Sequence, residues 1–150
     1  MKRLITSTIF FILLVACVAV SKMNITQGIG GRVTRATGNQ MPAPGQQKPA
    51  AQGISTTVYI YQLTNVKQTI RKNQSPFYTT ITTQQVMQVQ SDNDGVFKAE
   101  VPPGDYSIFV KVNNMYYANR FDEENNIAPV KVVKGQVSIS DMVINNEASY

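Results

Sequence analysis

Two tight turns and the alternating runs beside them constrain this chain more than anything else in it. Asp92-Asn93-Asp94-Gly95 combines residues that tolerate tight geometry with a glycine free to take positive φ. From there Phe97, Ala99 and Val101 alternate with Lys98 and Glu100, the period of a half-buried strand. Pro102-Pro103-Gly104 then places proline and glycine where a type II turn wants them, and Tyr106, Ile108, Val110 and Val112 alternate back. The passage predicts an antiparallel hairpin with Gly104 at positive φ. Tyr106, just after the turn, is expected to tie the corner through its hydroxyl.

Strand character recurs along the chain. Gly31-Arg32-Val33-Thr34 reads as a short first strand ended by Thr37-Gly38-Asn39, and Gln40 to Gln52 as a proline- and glutamine-rich surface loop. Thr56 to Tyr61 is β-branched and aromatic, with apolar side chains pointing both ways, as a central strand covered on both faces requires. Lys67 to Ser75 is polar and basic. Phe77 to Val89 returns to strand, with Ile81, Val86, Met87 and Val89 as core residues and a bulge at Gln84-Gln85. Val130 to Val133 and Val137 to Ile144 flank a turn at Lys134-Gly135. Strict alternation in the last strand puts Asp141 on the face of Val137 and Ile139, so a bulge near Ser140 is expected. No stretch shows a sustained helical period and no long repeat is visible, so the expectation is one all-β domain.

The N-terminus carries a different signal. Met1-Lys2-Arg3 followed by the apolar run Leu4 to Val20 has the charged head and hydrophobic body of a signal peptide, assigned here to residues 1–21. Leu14-Val15-Ala16-Cys17 resembles a bacterial lipobox, which makes Cys17 the candidate lipidated residue. Ala19-Val20-Ser21 offers an alternative cleavage site before Lys22, and an uncleaved anchor is the third reading. Residues 22–27 read as a tether and 28–150 as the folded domain. The protein is therefore expected outside the cytoplasm, either as a membrane-anchored lipoprotein or as a periplasmic or secreted protein.

Composition restricts the chemistry. There is no histidine, so the commonest general base and the commonest transition-metal ligand are both missing. The single cysteine excludes an intramolecular disulfide. Of the formal charge of +5, Lys2 and Arg3 belong to the export segment, and no groove-reading helix or aromatic-interleaved basic run accompanies the rest, so no nucleic acid is expected as partner. Lys22 to Gln90 holds basic residues and no acidic one, whereas all nine carboxylates follow Gln90. The halves are expected to neutralise each other across neighbouring strands. Asp92-x-Asp94-Gly95 imitates the start of a calcium loop, but the twelfth position is Pro103 where a bidentate glutamate is needed. It reads as a turn, Asp122-Glu123-Glu124 as a solvated loop, and no metal or other cofactor is expected.

Gly31-x-Val33, Ser91-Asp92-x-Asp94-Gly95-x-Phe97 and Val101-Pro102-Pro103-Gly104-x-Tyr106-Ser107-x-x-Val110 together resemble the carboxypeptidase regulatory-like domain. Gly38 to Pro42 and Tyr117-Ala118-Asn119-x-Phe121-Asp122 are similar to small stand-alone exported proteins of this group from Bacteroidota. The resemblance implies a seven-stranded Greek-key β-sandwich of transthyretin-like type, and a non-catalytic role. The expected function is that of a non-enzymatic envelope module with an unknown envelope protein or glycan as partner. The alternative is a carbohydrate- or peptide-binding domain using Tyr116, Tyr117 and Phe121, which share a section with Asn113, Asn114, Asn119 and Arg120. Asp92, Asp94, Gly95, Pro103, Gly104 and Tyr106 are the expected structural turn residues.

Overall fold

The structure is a computed structural model describing residues 24–41, 44, 45, 47 and 49–149. Cys17, the lipobox and Tyr150 lie outside the described residues. Among the described residues, apart from one 3-10 turn at Val66–Gln68, every regular element is a strand: β1 (Gly28–Asn39), β2 (Gln52–Gly53), β3 (Thr57–Gln62), β4 (Thr69–Arg71), β5 (Phe77–Ile81), β6 (Gln85–Gln90), β7 (Val96–Ala99), β8 (Gly104–Val112), β9 (Met115–Tyr117), β10 (Pro129–Val132), β11 (Val137–Ile139) and β12 (Met142–Ser149). In the smaller sheet β1 is central, with β11 and β12 parallel along one edge and β7 and β2 antiparallel along the other. The larger sheet runs β4-β5-β9-β8-β3-β6, with β10 beside the first half of β8. The fold is an all-β sandwich. Its strand segments outnumber the seven expected, in part because both edges of β1 are lined by two successive pieces.

The hairpin expected between β7 and β8 does not form. β7 pairs β1 in the smaller sheet, while β8 pairs β3, β9 and β10 in the larger. A period of two fixes which face is buried but not which strand lies alongside, and Pro102 and Pro103 have no N–H with which to continue a ladder. The turn is a corner between sheets. Gly104 opens β8 without positive φ, so the expectation for it was wrong; a Cβ there would lie 3.2 Å from the Tyr106 hydroxyl. The two-residue hairpin is β8 to β9, turned by Asn113 (φ 48°) and Asn114 (φ 60°), both left-handed as a type I′ turn needs.

Other boundaries shift for comparable reasons. β1 is longer than the four residues expected because β12 continues its pairing through Thr37, Gly38 and Asn39. No bulge occurs at Ser140, since the pairing offset is the same at Gly30↔Ile139 and Val33↔Met142. Ser140, Met142 and Ile144 point inward, Ile139 is 72% exposed, and the Asp141 carboxylate accepts the Arg32 N–H at 2.8 Å. The bulge expected at Gln84-Gln85 falls just beyond it, with Val86 as the extra residue between Tyr61↔Gln85 and Ile60↔Met87. Phe77 to Val89 is two strands rather than one, β5 and β6, on different parts of the larger sheet.

Both faces of the larger sheet are buried. Val58, Ile60, Ile108, Val110 and Tyr117 share one face and meet Ile29, Val33, Phe97, Met142 and Ile144 of the smaller sheet. Each fully buried aliphatic or phenylalanine side chain contributes about 1.5–3 kcal/mol. Phe97→Ala would cost about 3–5 kcal/mol. The opposite face carries Tyr59, Tyr61, Tyr78, Phe109 and Tyr116, with Tyr78 and Phe109 fully buried. At its margin Thr64 and Thr83, which flank β4 and β5 in the chain, are tied to β8: the Thr64 N–H donates to Ser107 Oγ at 2.9 Å, and Thr64 meets Thr83 at 2.6 Å.

Candidate functional site

The segment 115–128 brings together most of the sequence-derived candidates. Because β9 is a strand, its consecutive tyrosines point to opposite faces. Tyr117 is fully buried in the main core, edge-on to Phe77 at 5.2 Å. Its hydroxyl donates to Asn145 Oδ1 at 2.7 Å and accepts from the Asn145 N–H at 3.2 Å. Tyr116 joins the second layer, 5.0 Å from Tyr59 and 5.9 Å from Tyr61, and the Tyr61 hydroxyl donates to its hydroxyl at 3.1 Å. Burial and these phenol neighbours push the Tyr61 pKa well above 10.0, and burial also raises that of Tyr78.

Phe121 sits apart from both. It is 41% exposed, and the Arg71 guanidinium lies 5.6 Å from its ring and 5.7 Å from the Tyr78 ring. Arg71 is held by the carbonyls of Ser75 (3.1 Å) and Gln74 (2.9 Å). The three aromatics expected to form one binding surface therefore do not converge, and only Phe121 keeps an open ring.

Asn119 and Arg120 strap the two sheets together. Asn119 Nδ2 donates to the Val143 carbonyl (3.2 Å) and to Asn145 Oδ1 (3.0 Å), and Arg120 donates to Ser140 Oγ at 2.7 Å. Sequence reasoning missed Asn145, Arg71 and the Thr64–Ser107 contact. No local signal marks them, since each acquires its role from a partner distant in sequence.

Asp122 closes the loop. Its carboxylate accepts from Asn126 Nδ2 at 2.9 Å, Asn126 N–H at 2.8 Å and Glu124 N–H at 3.0 Å. These bonds, the Asn126 side chain foremost, hold its pKa below the ordinary 3.8. Asp122, Glu123 and Glu124 line an open groove of about 600 Å³ with Leu63, Asp105 and Lys131. Lys131 meets Asp105 at 3.4 Å, an exposed pair that adds about 0–1 kcal/mol. It is the one ion pair among the described residues, and both members come from the acidic half of the chain. The cross-strand neutralisation expected between the halves is thus not realised as ion pairs. Arg32 instead donates through Nε to the Asp94 carbonyl at 2.7 Å. Among the described residues no group of three or more carboxylate, histidine or cysteine side chains is placed to hold a metal ion.

The turn at 92–95 and the corner at 102–106 are held by local bonds, and without positive φ at Gly104 the corner is not the type II turn expected of Pro103-Gly104. Asp92 Oδ1 accepts from the N–H groups of Asp94 (3.0 Å) and Val96 (2.8 Å), and Gly95 has φ +82°. Pro103 is exposed at the corner, and the Tyr106 hydroxyl donates to the Pro102 carbonyl at 2.8 Å. Compared with known proteins, the chain matches no family model, no curated protein and no solved structure.

Proposed function

We propose that this chain is a non-enzymatic exported envelope protein whose β-sandwich serves as an interaction or structural module. The observation that supports the reading is the fate of β9: Tyr116 and Tyr117 are committed to ring packing and hydrogen bonds on opposite faces of the sheet. What the domain offers a partner is then its strand edges and surface loops. The sequence motifs around Asp92 and Tyr106 add a resemblance to carboxypeptidase regulatory-like domains, with the Greek-key, transthyretin-like topology as part of the same proposal. The charged head, apolar run and lipobox-like Cys17 support an extracytoplasmic location, held by lipid or released.

Cross-linking in intact cells followed by identification of the captured species tests this. Capture of one envelope component at stoichiometric level is the expected result. Recovery with cytoplasmic proteins alone would overturn it.

A second reading, a carbohydrate- or peptide-binding domain, is favoured by one observation: the exposed Phe121 ring backed by Arg71. A glycan and peptide array probed with the wild type and Phe121→Ala separates the two readings. Saturable binding lost in the variant supports the second.

A further inference from the structure

The strand edges of this sandwich are treated unequally. An open edge presents unpaired N–H and C=O groups to any other strand, and proteins blunt it by keeping the strand short, placing charge on it or covering it. β2, β4 and β11 have two or three residues, and β4 ends in Arg71 and is followed by Lys72. β7 carries Lys98 and is followed by Glu100. The outer edge of β12 is capped by side chains, with Asn119 on the Val143 carbonyl and the Tyr117 hydroxyl on the Asn145 N–H.

β6 has none of these devices beyond the bulge at Val86. It is six residues long, Gln85-Val86-Met87-Gln88-Val89-Gln90, and lies in a stretch, 73–91, without a single charged side chain. One edge pairs with β3, and among the described residues no strand pairs with the other. The Ser91 N–H donates to the Thr56 carbonyl at 2.9 Å, on the β3 side. By two-residue alternation Met87 and Val89 also turn toward β3, so the backbone groups of Gln88 and Gln90 point outward.

We propose that this edge of β6 pairs antiparallel with β6 of a second copy of the chain, centred on Gln88. In that register Gln88 lies opposite its own copy, and its outward N–H and C=O exchange hydrogen bonds with the same groups across a twofold axis. Met87 and Val89, half-buried at the margin of the core, come opposite Val89 and Met87 of the second copy. Pairing covers both, and the two larger sheets run on as one. The occupant is argued from self-complementarity: a strand bearing charge would face its own charge in a twofold pair, and this strand bears none. Its glutamine amides also suit one another, as Gln62 and Gln84 show at 3.3 Å within one copy. The inference stands apart from the export reading.

The test uses the full-length chain in mild detergent, with sedimentation velocity to follow association. Gln88→Lys and Gln88→Glu each place like charges opposite one another and should weaken association by up to ~5-fold. Mixing the two should restore it as a heterodimer. Gln88→Pro removes an outward N–H without touching the β3 ladder and should also give a monomer, with circular dichroism confirming that each variant is folded. A wild type monomeric at every concentration, dimers indifferent to all three variants, or a mixture that stays monomeric would overturn the proposal. So would selective capture of another protein's extended segment by a monomeric wild type.

Discussion

The Tyr106 hydroxyl donates a 2.8 Å hydrogen bond to the carbonyl of Pro102, four residues back, so the ring closes the corner at which the chain passes from one sheet to the other. Tyr106 is only 7% exposed, and its ring lies against Gly104. Tyr106→Phe keeps the packing and strands the carbonyl, at an expected cost of about 1 kcal/mol. Urea denaturation should show a lower midpoint at unchanged slope. An identical midpoint would mean that water satisfies Pro102 equally well.

Gly95 and Gly45 share a left-handed backbone, at φ +82° and +84°, but not a setting. A Cβ on Gly95 would fall 2.0 Å from the Val33 carbonyl, which accepts the Ile54 N–H, whereas nothing lies within 4 Å of one on Gly45. Gly45→Ala should cost about 1 kcal/mol of backbone strain, and Gly95→Ala about 3 kcal/mol or more as β1 and the turn are pushed apart. Thermal melts of the pair decide it, and equal melting temperatures would show that β1 yields freely at Val33.

Tyr117→Phe and Phe121→Ala should behave oppositely. The first removes the two hydrogen bonds that the Tyr117 hydroxyl makes with half-buried Asn145 and should cost about 1–2 kcal/mol without altering any ligand response. The second removes a partly exposed ring and should cost about 1 kcal/mol or less. Chemical denaturation of both variants checks the ranking. A larger loss from Phe121→Ala would mean that Arg71 and Phe121 brace the β4–β5 edge.

Local chemistry was legible in the sequence, and pairing was not. Asp92 and Tyr106 act through neighbours within four residues, so their roles could be read directly, whereas the close approach of Gly95 to Val33 could not. The partner of β7 could not, because alternation says that Phe97 and Ala99 face inward but not that β1 lies alongside. The candidate aromatic site failed on a signal that was available. Asn113-Asn114 tolerates the left-handed geometry of a hairpin turn, which makes Met115 to Tyr117 a strand and sends adjacent tyrosines to opposite faces. The second aromatic layer depends on β5 and β9 joining the sheet beside β8, which sets Tyr78 and Tyr116 on the face of Phe109, and no single-sequence pattern reveals that pairing.

Alkaline pH should destabilise the domain. Burial first, then the Tyr116 phenol, holds the Tyr61 pKa above 10.0, and Tyr78 is raised by burial. Their neutral forms therefore stabilise the fold fully below pH 10, and that contribution falls as pH rises toward the folded-state values, because the unfolded chain ionises first. Urea midpoints should decline above about pH 10, and less steeply in Tyr61→Phe. Parallel declines in the two proteins would place the sensitivity elsewhere.

The intact mass of the mature protein, taken after fractionating cells of a bacterial host that express the full chain, tests the exported-module account most directly. The account predicts a membrane-fraction protein beginning at Cys17 and carrying acyl chains, each anchored by about 0.8 kcal/mol per buried CH₂, with Cys17→Ala abolishing the modification. An unmodified chain beginning at Lys22 in the soluble fraction would keep export and remove the lipid. A chain retaining Met1 in the cytoplasmic fraction would contradict the account.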